Sequence, residues 1–418
     1  MATTTTQMKK ILFPFLFFTA LSVNAKIFKV VGYVPDYRWN IISKLDYSQL
    51  THICVAFINP DSTGTLSFSQ NIDALVTLAH AQGVSVLPSL AGGGSYSWGE
   101  DVSIYENLLD DANRTPFIHK IMDYVRLHHL DGVDLDLEGN ALKLANYNKF
   151  ACELADSLHA GNLEISGAFA TGYYAQFVDA ATLEKMDFIG TMSYGGVGSW
   201  NYDQPMDEAT FDKFVDDVEY FKGTGMNYDA VAGGIPFYAV EFPMSAQSTY
   251  WQYNYDVCSA FTGSKFTGQD PLHHDTLLTV SNHPVYLNSL PTLKKKIEYA
   301  VKNAGGIMIW ELGCDCYVGQ LNIMDSLSTY INAALAVQNT NSPSLVKVFP
   351  NPASNTLNLS GEYQNVNNYF IVDMLGRAVY SGISPSSSIN ISAIDPGIYS
   401  LVFIHPDNLH SVVRLVVE

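Results

Sequence analysis

The segment Asp131-Gly132-Val133-Asp134-Leu135-Asp136-Leu137-Glu138 sets acids and large apolar residues at alternate positions, a period of two that a β-strand converts into two opposed faces. Val133, Leu135 and Leu137 then point toward packed helices, and Asp134, Asp136 and Glu138 share the other face. A buried row of acids has no stabilising purpose. Same-face neighbours stand about 7 Å apart, and at an effective dielectric near ~20 each like-charge pair repels by about 2 kcal/mol. At least one member is therefore expected to hold a proton near neutral pH, the state a general acid requires. Asp131 is out of phase with the other three and reads as structural.

The rest of the chain supplies strands to accompany this one. Short apolar runs occur at Phe28–Tyr33, His52–Ile58, Ser85–Leu90, Gly132–Glu138, Glu164–Ala170, Phe188–Tyr194, Ala230–Tyr238 and Gly306–Glu311, with helical patterns between most of them. That alternation is the mark of a parallel α/β fold, and eight strands favour a closed barrel over an open doubly wound sheet. Functional residues of such barrels sit at the C-terminal ends of strands. A chain of 418 residues exceeds one ordinary domain and suits a barrel of roughly 250–300 residues plus a small module. A formal charge of −19 argues against nucleic acid and anionic membrane surfaces as partners and is compatible with a neutral polysaccharide. The 25 Tyr could stack on sugars or simply fill a large core, and composition does not separate the two.

The string D-x-x-D-x-D-x-E resembles the signature of glycoside hydrolase family 18, the chitinase and endo-β-N-acetylglucosaminidase family. Other strand ends add to the resemblance. Ser89-Leu90-Ala91-Gly92-Gly93-Gly94 is similar to the family's S-x-G-G with one extra residue, and Met192-Ser193-Tyr194 follows on the sixth strand. Gly233-Gly234-Ile235-Pro236-Phe237-Tyr238 is similar to G-x-P-x-Y, and Trp310 stands where the family keeps a Trp on the eighth strand. The resemblance covers Lys26 to about Ala336 and implies a (β/α)8 TIM barrel. It also implies retaining, substrate-assisted hydrolysis, in which the substrate's own N-acetyl group attacks the anomeric carbon. Glu138 would be the general acid, Asp136 would orient the acetamido group, Asp134 would be its buried partner, and Tyr194 would donate to the acetamido carbonyl. Trp310 would form the floor beneath the sugar, with Tyr33 and Phe57 as walls and Tyr238 as a further binding residue. The implied protein is a secreted chitinase that needs no metal or cofactor. The alternatives are an endo-β-N-acetylglucosaminidase acting on N-glycan cores and a non-catalytic chitin-binding lectin or adhesin. Such lectins typically lose the final Glu, whereas Glu138 is intact.

Two departures bear on substrate. The family usually has Asp after the Tyr of the sixth strand, where this chain has Gly195, so a carboxylate that commonly contacts substrate is missing. The stretch between Ala239 and Pro291 reads as loop, rich in Ser, Thr, Tyr and Gly, and too small for the α+β insertion that deepens the cleft in some relatives. A shallow groove suited to internal cleavage is expected. Trp98, Trp200, Trp251 and Tyr253 fall in predicted loops, where packing is their more ordinary use and a sugar platform the alternative.

The first 25 residues read as a signal peptide: Lys9 and Lys10, an apolar run from Ile11 to Leu21, then Val23-Asn24-Ala25 before Lys26. The run is too short for a comfortable membrane span, and Met8 is an alternative start. Of five cysteines, Cys54 and Cys152 lie in strand and helix patterns as expected buried thiols, while Cys258 could bridge to Cys314 or Cys316. Residues 26–336 are assigned to the barrel and 337–344 to a polar linker containing QNTNSPS. Residues 345–418 read as a small all-β sandwich. Within it, Val348-Phe349-Pro350-Asn351-Pro352, a turn at Met374-Leu375-Gly376-Arg377 and Gly397-Ile398-Tyr399 resemble the sorting domain that directs bacterial proteins to the type IX secretion machinery.

Overall fold

The computed structural model describes residues 28–195, 207–242, 283–317, 322–341, 346–372, 378–404 and 410–418, with short strands between 253 and 280. Strands β1 (Lys29–Pro35), β2 (His52–Ala56), β3 (Ser85–Ala91), β4 (Gly132–Asp136), β5 (Glu164–Phe169), β6 (Phe188–Thr191) and β7 (Val231–Pro236) run parallel in chain order. After an insertion of five strands, β13 (Gly306–Trp310) pairs with both β7 and β1 and closes the barrel. All eight expected strands are therefore present in one closed sheet.

Alternation along each strand sorts the side chains as the sequence pattern demands. Val133, Leu135 and Leu137 are fully buried in the main core with Ile118, Phe150 and Leu154 of the surrounding helices. The alternate positions Tyr33, Cys54, Leu87, Ala168, Ala232 and Met308 form a separate cluster in the barrel interior. Asp131, out of phase, works at the opposite end from the acid row. It accepts from the Val86 N–H (2.7 Å) and pairs with His80 (2.8 Å), which ends the helix Ile72–His80. Asp187 repeats the device before β6, accepting from the Ile165 N–H (2.8 Å) and from His159 (3.0 Å).

The stretch expected to be loop between Ala239 and Pro291 instead contains strands. Tyr238–Glu241 (β8), Tyr253–Asp256 (β9), Thr267–Gly268 (β10), Leu278–Val280 (β11) and His283–Tyr286 (β12) form an antiparallel sheet in the order β10-β11-β12-β8-β9. Two to four residues per strand are enough for a ladder but too few to display an alternating pattern in sequence. The inference of a shallow groove, drawn from a loop, loses its basis.

The helix Ile323–Asn341 continues into the segment read as linker. Beyond it lies an all-β unit of two sheets, β14-β15-β18 (Val346–Phe349, Thr356–Gly361, Ser388–Asn390) and β17-β16-β19-β20 (Ala378–Ile383, Asn368–Val372, Gly397–Ile404, His410–Val417). Leu357, Ile371, Ile389, Leu401, Phe403 and Leu415 make its own core. Cys54 is buried and Cys152 half-buried, both as thiols. Cys316 rather than Cys314 is disulfide-bonded, and its expected partner Cys258 lies outside the described residues. So do the 1–25 segment, the turn at Met374–Arg377, Trp200 and Trp251. No described helix is long and apolar enough to cross a membrane.

Candidate active site

Asp134 is buried inside the barrel, with both carboxylate oxygens held by hydroxyls from three other strands. Tyr33 of β1 (2.7 Å) and Ser89 of β3 (2.6 Å) donate to Oδ2, and Ser166 of β5 (2.6 Å) donates to Oδ1. Burial raises its pKa, while the hydrogen bonds from Ser166, Ser89 and Tyr33 pull the other way. Asp136, one inward position further along β4, lacks that support, and its Oδ1 is buried with no hydrogen-bond partner. Burial first, then the nearby Glu138 and Asp134 charges, drive its pKa well above the carboxylate range.

Glu138 lies past the hydrogen-bonded end of β4, which closes at Asp136. Its place is fixed by a stitch between two loops. The Glu138 N–H donates to Ser97 Oγ (2.9 Å), whose hydroxyl donates to the Gly92 carbonyl (2.6 Å). The next residue, Gly139, has φ +51°, and a Cβ there would stand 2.6 Å from the Trp98 ring. Only glycine lets the indole come down over this turn. Trp98 hydrogen-bonds the Glu138 carboxylate and packs edge-on against Tyr174 at 5.0 Å. Burial lifts Glu138 to a pKa of about 7, with the Trp98 bond opposing.

Around the acids is an aromatic enclosure. Trp310 ends β13, stacks on Phe57 (5.6 Å, 18°) and lies 5.5 Å from Tyr33. The peptide bonds Ala56–Phe57 and Trp310–Glu311 are cis. Tyr194 follows β6, donates to Met308 Sδ (3.4 Å) and meets Tyr238 edge-on at 6.1 Å. These residues with Trp98, Asp136, Glu138 and Tyr174 line a cavity of about 750 Å³. The structure thus gathers all eight residues singled out from sequence: Asp134 beneath the cavity, and Tyr33, Phe57, Asp136, Glu138, Tyr194, Tyr238 and Trp310 on its lining.

Ser97, Ser166 and Glu208 carried no sequence signal; the two serines are single hydroxyls whose partners are distant in the chain. Ser89 opens the glycine-rich string of the third strand, but its bond to Asp134 is visible only in the fold. Trp98, expected in a loop with a sugar platform as the alternative to packing, joins the cavity wall. Glu208 is 7 % exposed, accepts from the Gly195 N–H (2.9 Å) and is hydrogen-bonded to Tyr238. Burial lifts its pKa to about 7.

Two buried carboxyls of raised proton affinity, set among aromatic side chains, make a site able to exchange a proton with a bound ligand. Comparison with known proteins gives the family. The family model of Glycosyl hydrolases family 18 matches residues 29–315, and that of the Secretion system C-terminal sorting domain matches residues 347–418. The crystal structure of the GH18 chitinase ChiB from the chitin utilization locus of Flavobacterium johnsoniae is 28 % identical, covers 73 % of this chain and 94 % of that one, and superposes with a TM-score of 0.64. A chitinase-like effector of Moniliophthora perniciosa is 26 % identical over 184 residues, 38 % of this chain and 40 % of the effector. Chitinase-3-like protein 2 of Homo sapiens is 23 % identical over 257 residues, 50 % of this chain and 65 % of that protein. Both sequence matches span less than two thirds of the relative's length. The family model covers most of the chain, from β1 to the turn beyond β13, and the protein belongs to glycosyl hydrolase family 18 and carries a C-terminal secretion sorting domain.

Proposed function

We propose that the protein is a chitinase that cleaves β-1,4 linkages between N-acetylglucosamine units with retention, using the substrate's acetamido group as nucleophile. The observation that carries this reading is the placement of Glu138: its carboxyl lines the same cavity as Asp136, Tyr194 and Trp310 and is hydrogen-bonded to Trp98, and burial raises its proton affinity. Its proton passes to the glycosidic oxygen as the acetamido carbonyl oxygen attacks C1, and the C1–O bond breaks with its electron pair going to the leaving sugar. Asp136 holds the acetamido N–H and stabilises the positive charge of the oxazolinium ion, with its unpartnered oxygen available for that bond. Water then attacks C1 from the side of the departed sugar and gives its proton to the Glu138 carboxylate, while the C1–O bond of the oxazolinium ring breaks with its electron pair returning to the acetamido oxygen, restoring the N-acetyl group and giving the β-anomer. Asp134, charge-stabilised by three hydroxyls, accepts or returns a proton as Asp136 moves. Tyr194 donates to the acetamido carbonyl, and Trp310 with Phe57 supports the sugar ring.

Export through the type IX system, read from the 347–418 match, would bring the barrel to an extracellular polymer. One feature favours a second reading: Gly195 in place of the usual Asp keeps cleavage of N-glycan cores in view. The purified chain is to be incubated with chitin oligosaccharides and, separately, with a glycoprotein bearing N-glycans, and products resolved by mass and anomeric form. Release of β-anomeric oligomers that is lost in Glu138→Gln supports the chitinase; glycan release alone moves the assignment to the endoglycosidase. Binding without cleavage would make the barrel a lectin.

A further inference from the structure

Gly195 leaves the sixth strand end without a side chain, yet a carboxylate still stands behind it. Glu208 enters from the residues preceding the helix Phe211–Gly223 and is buried against the back of the cavity wall. It accepts from the Gly195 N–H at 2.9 Å and is hydrogen-bonded to the Tyr238 hydroxyl. Gly195 and Tyr238 both face the cavity, and Tyr238 buttresses Tyr194 edge-on. Two lining elements far apart in sequence, the turn after β6 and the start of β8, are thereby tied to one buried group.

We propose that Glu208 is a positioning residue for hydrolysis: its carboxylate holds Tyr238, and through it Tyr194, in the orientation that grips the acetamido end of the sugar. The inference rests on the chitinase reading given above. The geometry has a chemical consequence for Tyr238. Its O–H proton is committed to Glu208, so the phenol oxygen turns a lone pair toward the cavity and serves as acceptor for a sugar hydroxyl or amide N–H. An ionised carboxylate makes this arrangement stiffer than a neutral acceptor would. The charged groups that bear on Glu208 are Asp207 beside it, which disfavours ionisation, and Lys296 from the helix Leu290–Asn303, which favours it. Lys296 is itself held by the Ala209 carbonyl and Asn288 Oδ1 at 2.6 Å each.

The test compares Glu208→Ala, Glu208→Asp and Glu208→Gln in the full chain. Readouts are kcat and KM on an N-acetylglucosamine tetrasaccharide, tetrasaccharide affinity in a Glu138→Gln background, and Tm. Misplacement of a contact by about 1 Å costs up to about 100-fold, so Glu208→Ala is expected to lose about 10- to 100-fold in kcat with a smaller change in KM. Glu208→Gln keeps one acceptor oxygen at the same reach and gives up the second, so it is expected to lose less than Glu208→Ala and to stay within about 5-fold of wild type if that oxygen serves Tyr238. Glu208→Asp is too short to serve both donors and should fall below Gln, which keeps the test decisive if the Ala variant does not fold. Equal kcat in Asp, Gln and wild type overturns the inference while leaving the chitinase reading intact. If wild type binds the tetrasaccharide without cutting it, the chitinase reading falls and the hydrolytic role of Glu208 falls with it; the holding of Tyr238 by Glu208 is then upheld by a tenfold weaker affinity in Glu208→Asp than in Glu208→Gln and overturned if the two are equal. A wild type that neither cuts nor binds overturns both.

Discussion

Replacing Glu138 by Gln should raise the stability of the barrel at pH 8 and leave it unchanged near pH 4. Burial pushes this carboxyl from its ordinary value of 4.5 to about 7 in the fold, against the pull of the Trp98 hydrogen bond. Below about 4.5 the group is protonated in both folded and unfolded chains and costs nothing. As pH rises, the unfolded chain ionises freely while the folded one resists, so stability falls until the folded group has titrated near 7. A displacement of roughly 2.5 units at 1.36 kcal/mol each sets an upper bound a little above ~3 kcal/mol at pH 8. Gln keeps an acceptor for the Trp98 indole and carries no charge, so it escapes that penalty and relieves Asp136 as well. All five Trp, at 39, 98, 200, 251 and 310, precede the C-terminal unit. Tryptophan fluorescence therefore follows barrel melting alone, which matters because a two-unit chain need not unfold in one step. At about 2 °C per kcal/mol for a domain of this size, the expected gain in Tm is roughly 5 °C at pH 8, shrinking to nothing at pH 4. A Gln variant that melts lower than wild type at pH 8, or by the same difference at every pH, would refute the claim that the fold holds this carboxyl under electrostatic load.

Trp98→Phe removes the donor that steadies the Glu138 carboxylate. With a hydrogen bond to a charged group contributing about 1.5 kcal/mol, the alkaline limb of kcat/KM should move up by about one pH unit, and an unmoved limb would separate Trp98 from the acid. Gly139→Ala forces a Cβ to within 2.6 Å of the Trp98 ring at φ +51°. About 1–2 kcal/mol of backbone strain follows, and kcat should drop by more than Tm implies because the indole is lifted from Glu138; loss in Tm alone would mean the loop relaxes elsewhere. Removing residues 347–418 should abolish export from the native host and leave turnover by the purified remainder unchanged, as measured by activity in medium and in lysate. Lost turnover in the purified remainder would mean the barrel depends on the sandwich.

The barrel was legible because its strands are short apolar runs, most of them bounded by Gly, Asp or Pro, and because Asp134, Asp136 and Glu138 advertise an inward face by strict alternation. The strand end was less so. Glu138 obeys the alternation yet lies beyond the ladder, placed by Ser97 and by the positive φ of Gly139. The hydroxyls of Ser89 and Ser166 act on Asp134 from neighbouring strands; Ser89 opens a recognisable glycine-rich string, whereas nothing local distinguishes Ser166 from other serines. Glu208 is equally silent: it sits beside Asp207 in a polar stretch that resembles a solvated loop, and its importance comes from a contact with Tyr238, thirty positions away in sequence. The insertion strands were hidden by brevity and by Ser, Thr, Tyr and Asn, which serve loops and edge strands alike. The last helix runs to Asn341 through residues of modest helical preference.

Asp134 draws its three hydroxyl partners from β1, β3 and β5, so its polar knot lies wholly within the first five strands, whereas closure waits for β13. A nascent chain displaying the first four strands already carries every acid of the row but lacks Ser166. Cut between β5 and β6, the gene would yield two fragments of which neither has a working mouth, since Tyr194, Tyr238 and Trp310 all lie in the second. On the chitinase reading, hydrolysis regained on mixing such halves would count assembled barrels directly, because the acids with their hydroxyls sit in one fragment and Tyr194, Tyr238 and Trp310 in the other.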